Sequence, residues 1–68
     1  MRTNINHNFT YHVPNEEQIG KYDTLRNEAK ALAHTIDKLV PESREQSLAI
    51  THLEESIFWA NAGIARNE

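Results

Sequence analysis

Residues 41–68, PESREQSLAITHLEESIFWANAGIARNE, spell one long helix with apolar side chains on two different sides. At about 100° per residue, Ile50, Leu53, Ile57, Ala60 and Ile64 fall in one narrow sector. Each follows the last by three or four residues, the spacing of a helix–helix seam. Leu48, Phe58, Trp59 and Ala62 fall roughly on the other side. A helix with two apolar faces needs two packing partners. A chain of 68 residues has room for one domain, and below roughly 70 to 80 residues a lone core seldom suffices. The second stripe must therefore meet another copy, another protein or a ligand.

Composition removes several alternatives. There are no cysteines, so disulfides are excluded as staples. The four histidines, His7, His12, His34 and His52, include no pair at the i, i+4 spacing of a helical metal site, so no metal and no cofactor are expected. A formal net charge of −3 argues against a general DNA or RNA binder, which carries a basic face. No apolar run approaches the roughly 20 residues of a membrane span. MRTNINHNFTYH lacks the apolar centre of a signal peptide. The expectation is a soluble intracellular protein with no membrane partner.

The chain reads as a single domain over 1–68: an arm over 1–13, a first helix over about 14–40 and a second over about 44–66. The arm is rich in Asn, Thr and His and alternates polar with aromatic residues around Phe9 and Tyr11, which predicts an extended segment. Pro14 suits a first helical turn, and Glu16 and Glu17 follow where the helix dipole favours negative charge. Tyr22, Ala29 and Ile36 recur every seven residues, with Leu25, Leu32 and Leu39 as the companion register. Together they form an a/d seam, beside a strip of Ile19, Ala33 and Val40. Pro41 ends this helix. The S-x-x-Q of residues 43–46 reads as a capping box for the next. So short a turn between helices about 35 to 39 Å long predicts an antiparallel all-α hairpin. The first helix packs on the Ile50 stripe, and Leu48, Phe58, Trp59 and Ala62 are left uncovered. Thr51, Glu55 and Asn61 interrupt packable positions and are expected to hydrogen-bond between helices.

Arg26, Lys30, His34 and Lys38 follow one another at i, i+4 steps, a cationic row able to hold phosphate, although solvated side chains paired with nearby acids are the favoured reading of such a row. Phe9 and Tyr11 offer flat rings for a nucleobase, and Arg26 a forked cation for phosphate. The same two rings are equally compatible with tacking the arm onto the hairpin. Arg66 suits the C-terminal dipole of the second helix, whereas Arg44, at its first turn, reads first as an ion-pair partner for a neighbouring hairpin and second as a cation reaching a ligand. Catalysis has little to work with. Ser43, Ser47 and His52 lack an oxyanion hole and an orienting acid, Glu54 and Glu55 point about 100° apart, and no Gly-rich phosphate loop is present. The chain is not expected to be an enzyme.

Several strings are distinctive: F-x-Y-H-x-P over residues 9–14, Arg26, Leu32-Ala33, Pro41-Glu42-Ser43-Arg44-Glu45, Ser47-Leu48-Ala49, Thr51, Leu53-Glu54, Trp59-Ala60-Asn61 and Ile64-Ala65-Arg66. In these the chain resembles the bacteriophage anti-CBASS cyclic-oligonucleotide sponges, a family of small helical-hairpin proteins. The resemblance implies a homohexamer that sequesters cyclic nucleotide messengers of bacterial antiphage signalling in the cytoplasm of the infected host, without cleaving them. It implies that a cyclic dinucleotide is held between protomers by Tyr11 of the arm and Arg26 of the first helix, a position where other members carry lysine. Phe9 and Lys30 are further candidates beside them. Some members also bind cyclic trinucleotides on the symmetry axis, for which Arg66 is the candidate. An alternative from another class is a small helical adaptor that grips a host protein through the Phe58 and Trp59 face.

Overall fold

A computed structural model of the chain describes residues 4–68. It comprises α1 (Ile5–Asn8), α2 (Glu16–Leu39) and α3 (Arg44–Asn67), with no strand among the described residues. α2 and α3 form the hairpin, and both of its ends are pinned. At the open end, Lys21 Nζ donates to both carboxylate oxygens of Glu68, at 2.6 and 2.7 Å. At the turn, Gln46 Nε2 donates to the Val40 carbonyl at 3.0 Å.

The caps differ from the sequence reading in two places. α2 does not begin at Pro14: Asn15 is its N-cap, accepting from Gln18 N–H at 2.8 Å while the Gln18 side chain accepts from Asn15 N–H at 3.1 Å. This reciprocal box satisfies two donors that helix ends otherwise leave orphaned, and it makes Gln18 the most enclosed polar residue described. The S-x-x-Q box of residues 43–46 forms only by half. Ser43 Oγ accepts from Gln46 N–H at 3.1 Å, but the Gln46 side chain turns away to the Asp37 and Val40 carbonyls of α2. There it satisfies acceptors at the α2 C-terminus. Val40 is extended, with φ −103° and ψ 126°, as a residue before proline is pushed to be.

The seam is also corrected. Tyr22, Leu25, Ala29 and Ile36 are half-buried, but Leu32 and Leu39 are exposed, the latter at 72%, and Ala33 and Val40 take their places. The inward positions 22, 25, 29, 33, 36 and 40 follow the 3.6-residue period of a straight helix. A strict heptad drifts about 20° per repeat against that period, so without supercoiling the later leucines leave the contact. On α3 the Ile50, Leu53, Ile57, Ala60 and Ile64 stripe is half-buried along its whole length. Leu48, Phe58 and Trp59 are exposed on the remaining surface, whereas Ala62, expected beside them, is half-buried.

Of the polar interruptions, Thr51 and Glu55 are exposed and bridge no helices, because they lie away from the seam. Asn61 does turn inward, yet its Oδ1 is sealed from solvent with no hydrogen-bond partner among the described residues. Such an orphan costs about 1–3 kcal/mol. Asn61→Leu is therefore expected to raise the thermal midpoint, by about 4–8 °C for each kcal/mol recovered in a chain of this size. A lowered midpoint in a calorimetric scan would mean that the amide finds a donor outside the single chain.

The molecule measures 43 × 29 × 16 Å. Its thinnest dimension leaves room for one layer of helix, about 10–12 Å across with side chains. Among the described residues no apolar side chain is fully buried. The single hairpin encloses no core of its own among them.

The arm expected to be extended over 1–13 instead closes a helical turn at Ile5–Asn8. Asn4 caps it by accepting from His7 N–H at 3.1 Å, and Phe9 N–H returns to the Ile5 carbonyl at 3.0 Å. A single capped turn needs no apolar periodicity, which is why the pattern missed it. Residues 11–15 then run without regular structure to α2. Residues 1–3 of the expected arm lie outside the described residues.

Candidate ligand-binding site

Ala29 and Ala33 face α3 with side chains too short to fill the space between the helices. The result is an open groove of about 320 Å³, floored by these alanines with Ile50, Leu53, Ile57 and Phe58. Arg26 and Lys30 stand on its α2 rim, and Glu54 on its α3 rim. An apolar floor with a few charges at its edge is the usual build of a small-molecule cleft, and this volume sits near the lower end of the roughly 300–1,000 Å³ range of such clefts.

The cationic row divides. Arg26, Lys30, His34 and Lys38 are all exposed, but only Arg26 and Lys30 reach the groove. Arg26 NH2 pairs with Asp23 Oδ1 one turn earlier. Both partners are more than half exposed, so the pair is worth no more than about 1 kcal/mol and a phosphate can displace the carboxylate.

Phe9 and Tyr11 are 86% and 81% exposed. Neither ring lines the groove, and no hydrogen bond among the described residues joins Tyr11 to Arg26. The bland alternative, that the rings tack the arm down, does not describe this protomer. What tethers the arm is a pair of histidines. His7 Nε2 donates to the Arg66 carbonyl oxygen at 2.8 Å, and His12 Nε2 donates to the His7 carbonyl at 2.9 Å. The two rings lie 4.6 Å apart at 56°. In the sequence His7 stands out only by its metal-ligand spacing and His12 by that and by its place in F-x-Y-H-x-P; nothing in periodicity marks either as a tether. No group of His, Cys, Asp and Glu among the described residues is arranged to hold a metal ion. Among the described residues no helix is long and apolar enough to cross a membrane.

Arg66 is half-buried in the last turn of α3, beside the Lys21–Glu68 clasp. The Glu68 hydrogen bond, reinforced by the charges of Glu68 and Glu17, raises Lys21 above the ordinary lysine value. A raised folded-state value means that the clasp contributes fully below the unfolded-state value of 10.5 and is lost as pH rises through the higher folded-state one. Lys21→Met is thus expected to lower the thermal midpoint slightly at neutral pH. Melts at increasing pH should show that difference vanish above the ordinary lysine range, and added salt should shrink it throughout.

The family model described as Acb2/Tad1, hairpin domain, matches residues 1–65 of the chain. No curated protein and no solved structure matches it.

Proposed function

The chain belongs to the Acb2/Tad1 hairpin-domain family, whose sponges its residues resemble, and from that premise we propose that it binds cyclic oligonucleotide messengers of antiphage CBASS signalling and retains them intact. Free messenger then falls below what the downstream effector needs, in the cytoplasm of the infected bacterium. The observation that carries this is the family match over nearly the whole chain. The single hairpin's incomplete core and its cation-rimmed groove support it.

The working form is a homo-oligomer, a hexamer by family resemblance. The exposed Leu48, Phe58 and Trp59 side chains, joined by Leu32 and Leu39 on α2, supply the apolar surface for it. The ligand site is completed between protomers: Tyr11 of one chain stacks on a base while Arg26 and Lys30 of another neutralise phosphate. Two such sites related by a twofold axis suit a ligand that is itself nearly twofold. Phe9 stands beside Tyr11 for a second base. Arg66, near the end of α3, is the residue assigned to a cyclic trinucleotide, where its copies converge on the oligomer axis. The mechanism needs no catalyst, only occupancy.

A ligand that binds the native assembly alone stabilises it by mass action, about 2.7 kcal/mol at a hundred times Kd. Thermal unfolding with cyclic di-AMP, cyclic di-GMP and cyclic GMP–AMP, each with its linear dinucleotide as control, is expected to show an upward shift for at least one cyclic form. No shift with any cyclic di- or trinucleotide would remove the sponge function.

A further inference from the structure

One hydrogen bond ties the arm that bears Tyr11 to the hairpin and a second folds the arm onto itself, and both end on carbonyl oxygens that can only accept. His7 must therefore carry its proton on Nε2 to reach the Arg66 carbonyl at 2.8 Å, and His12 on Nε2 to reach the His7 carbonyl at 2.9 Å. The Arg66 carbonyl belongs to the last turn of α3, where helical carbonyls have no intrahelical partner and the dipole is negative. A donor arriving there satisfies an orphan and fixes the arm to the hairpin at the same stroke. His12 is the immediate neighbour of Tyr11, and its ring lies 4.6 Å from that of His7. The tether thus runs from the α3 terminus through His7 and His12 to the residue adjoining the stacking ring. Tyr11 itself is 81% exposed, so the hairpin does not hold its ring by packing.

We propose that His7 and His12 are positioning residues for the ligand site: through the His12–His7–Arg66 carbonyl relay they hold the arm so that Tyr11 is presented to the cyclic dinucleotide already ordered. This rests on Tyr11 being a ligand residue, as proposed above. Ordering the arm before binding spares the complex part of the entropy of fixing it, which is how preorganisation raises affinity.

The test has two arms on the full chain. In the first, free protein is digested with chymotrypsin and cleavage after Phe9 and Tyr11 is timed, a measure of arm opening that needs no ligand. His7→Leu, which keeps bulk and removes the donor, is expected to speed that cleavage about five- to tenfold, the equivalent of one hydrogen bond. His7→Gln, whose amide N–H reaches a similar point, is expected to restore the slow rate. In the second arm, cyclic GMP–AMP, cyclic di-AMP and cyclic di-GMP are titrated calorimetrically into the same variants. His7→Leu is expected to weaken the tightest of the three by about five- to tenfold, with the subunit number unchanged and with no further loss in a Tyr11→Ala background. Unchanged cleavage in His7→Leu overturns the tether. Unchanged affinity in His7→Leu, where Tyr11→Ala loses binding, overturns the positioning role and leaves the sponge function standing. Full affinity in Tyr11→Ala overturns the assignment of Tyr11, and the positioning role with it.

Discussion

Tyr11→Ala is expected to weaken binding of a cyclic dinucleotide by about five- to a hundredfold, since one base stacked on an aromatic ring is worth about 1–3 kcal/mol. The exposed ring packs against nothing that its removal would disturb, so helicity and subunit number should stay as they are. Arg26→Ala should cost a similar factor, because a hydrogen bond to a charged group contributes about 1.5–3 kcal/mol. Arg26→Lys keeps the charge and loses the fork, and is expected to fall between. In the proposed site the Asp23 carboxylate paired with Arg26 competes with phosphate for the same guanidinium. Asp23→Asn is accordingly expected to tighten binding, by no more than about fivefold for an exposed pair. Calorimetric titration reads the whole series. A Tyr11→Ala protein that binds as tightly as the parent would place the stacking ring elsewhere.

The other large effect concerns assembly. Trp59→Glu is expected to dissolve the oligomer into species that lose most of their helical signal, rather than into stable folded hairpins. The reason lies in the single chain, where no apolar residue among the described ones is fully buried and Trp59 is 71% exposed. Burying a large aromatic or aliphatic side chain is worth about 1.5–3 kcal/mol, and in the proposed oligomer each copy contributes several at once. Placing a carboxylate in that contact removes the gain and adds an unpaired buried charge in every subunit. Light scattering with far-UV circular dichroism checks both consequences. A parent chain that proved to be a cooperatively folded monomer, and that captured one host protein through Phe58 and Trp59, would favour the adaptor function instead.

How much of this the residues disclosed depended on the length scale of the signal. The hairpin was legible because Pro41 interrupts two long apolar periodicities, and the Ile50 stripe needed no correction. The facing seam was legible at Tyr22, Leu25, Ala29 and Ile36 but not at Leu32 and Leu39. Tyr22, Leu25 and Ala29 fit the heptad and the straight helix equally well, and the difference emerges at Leu32 and Leu39 after the drift has accumulated. Asn15 carried the same cap-plus-glutamine signal as Ser43, but Pro14 and the two glutamates that follow Asn15 drew the start of the helix earlier. The turn at Ile5–Asn8 and the histidine tether were not legible. They rest on contacts between residues 59 positions apart in one case and on a lone cap in the other, neither of which leaves a periodic trace. Of the candidate site residues, Arg26 and Lys30 share a groove that depends on two alanines being small. Tyr11 stays outside it.

Native mass spectrometry of the intact protein, incubated with an equimolar pool of cyclic di- and trinucleotides, tests the central claim most directly by weighing the assembly and its cargo together. The expected spectrum is a closed homo-oligomer, hexameric by family resemblance, carrying unmodified cyclic oligonucleotide that is recovered intact on denaturation. A monomer or dimer with no nucleotide, or an oligomer that releases linearised product, would contradict it.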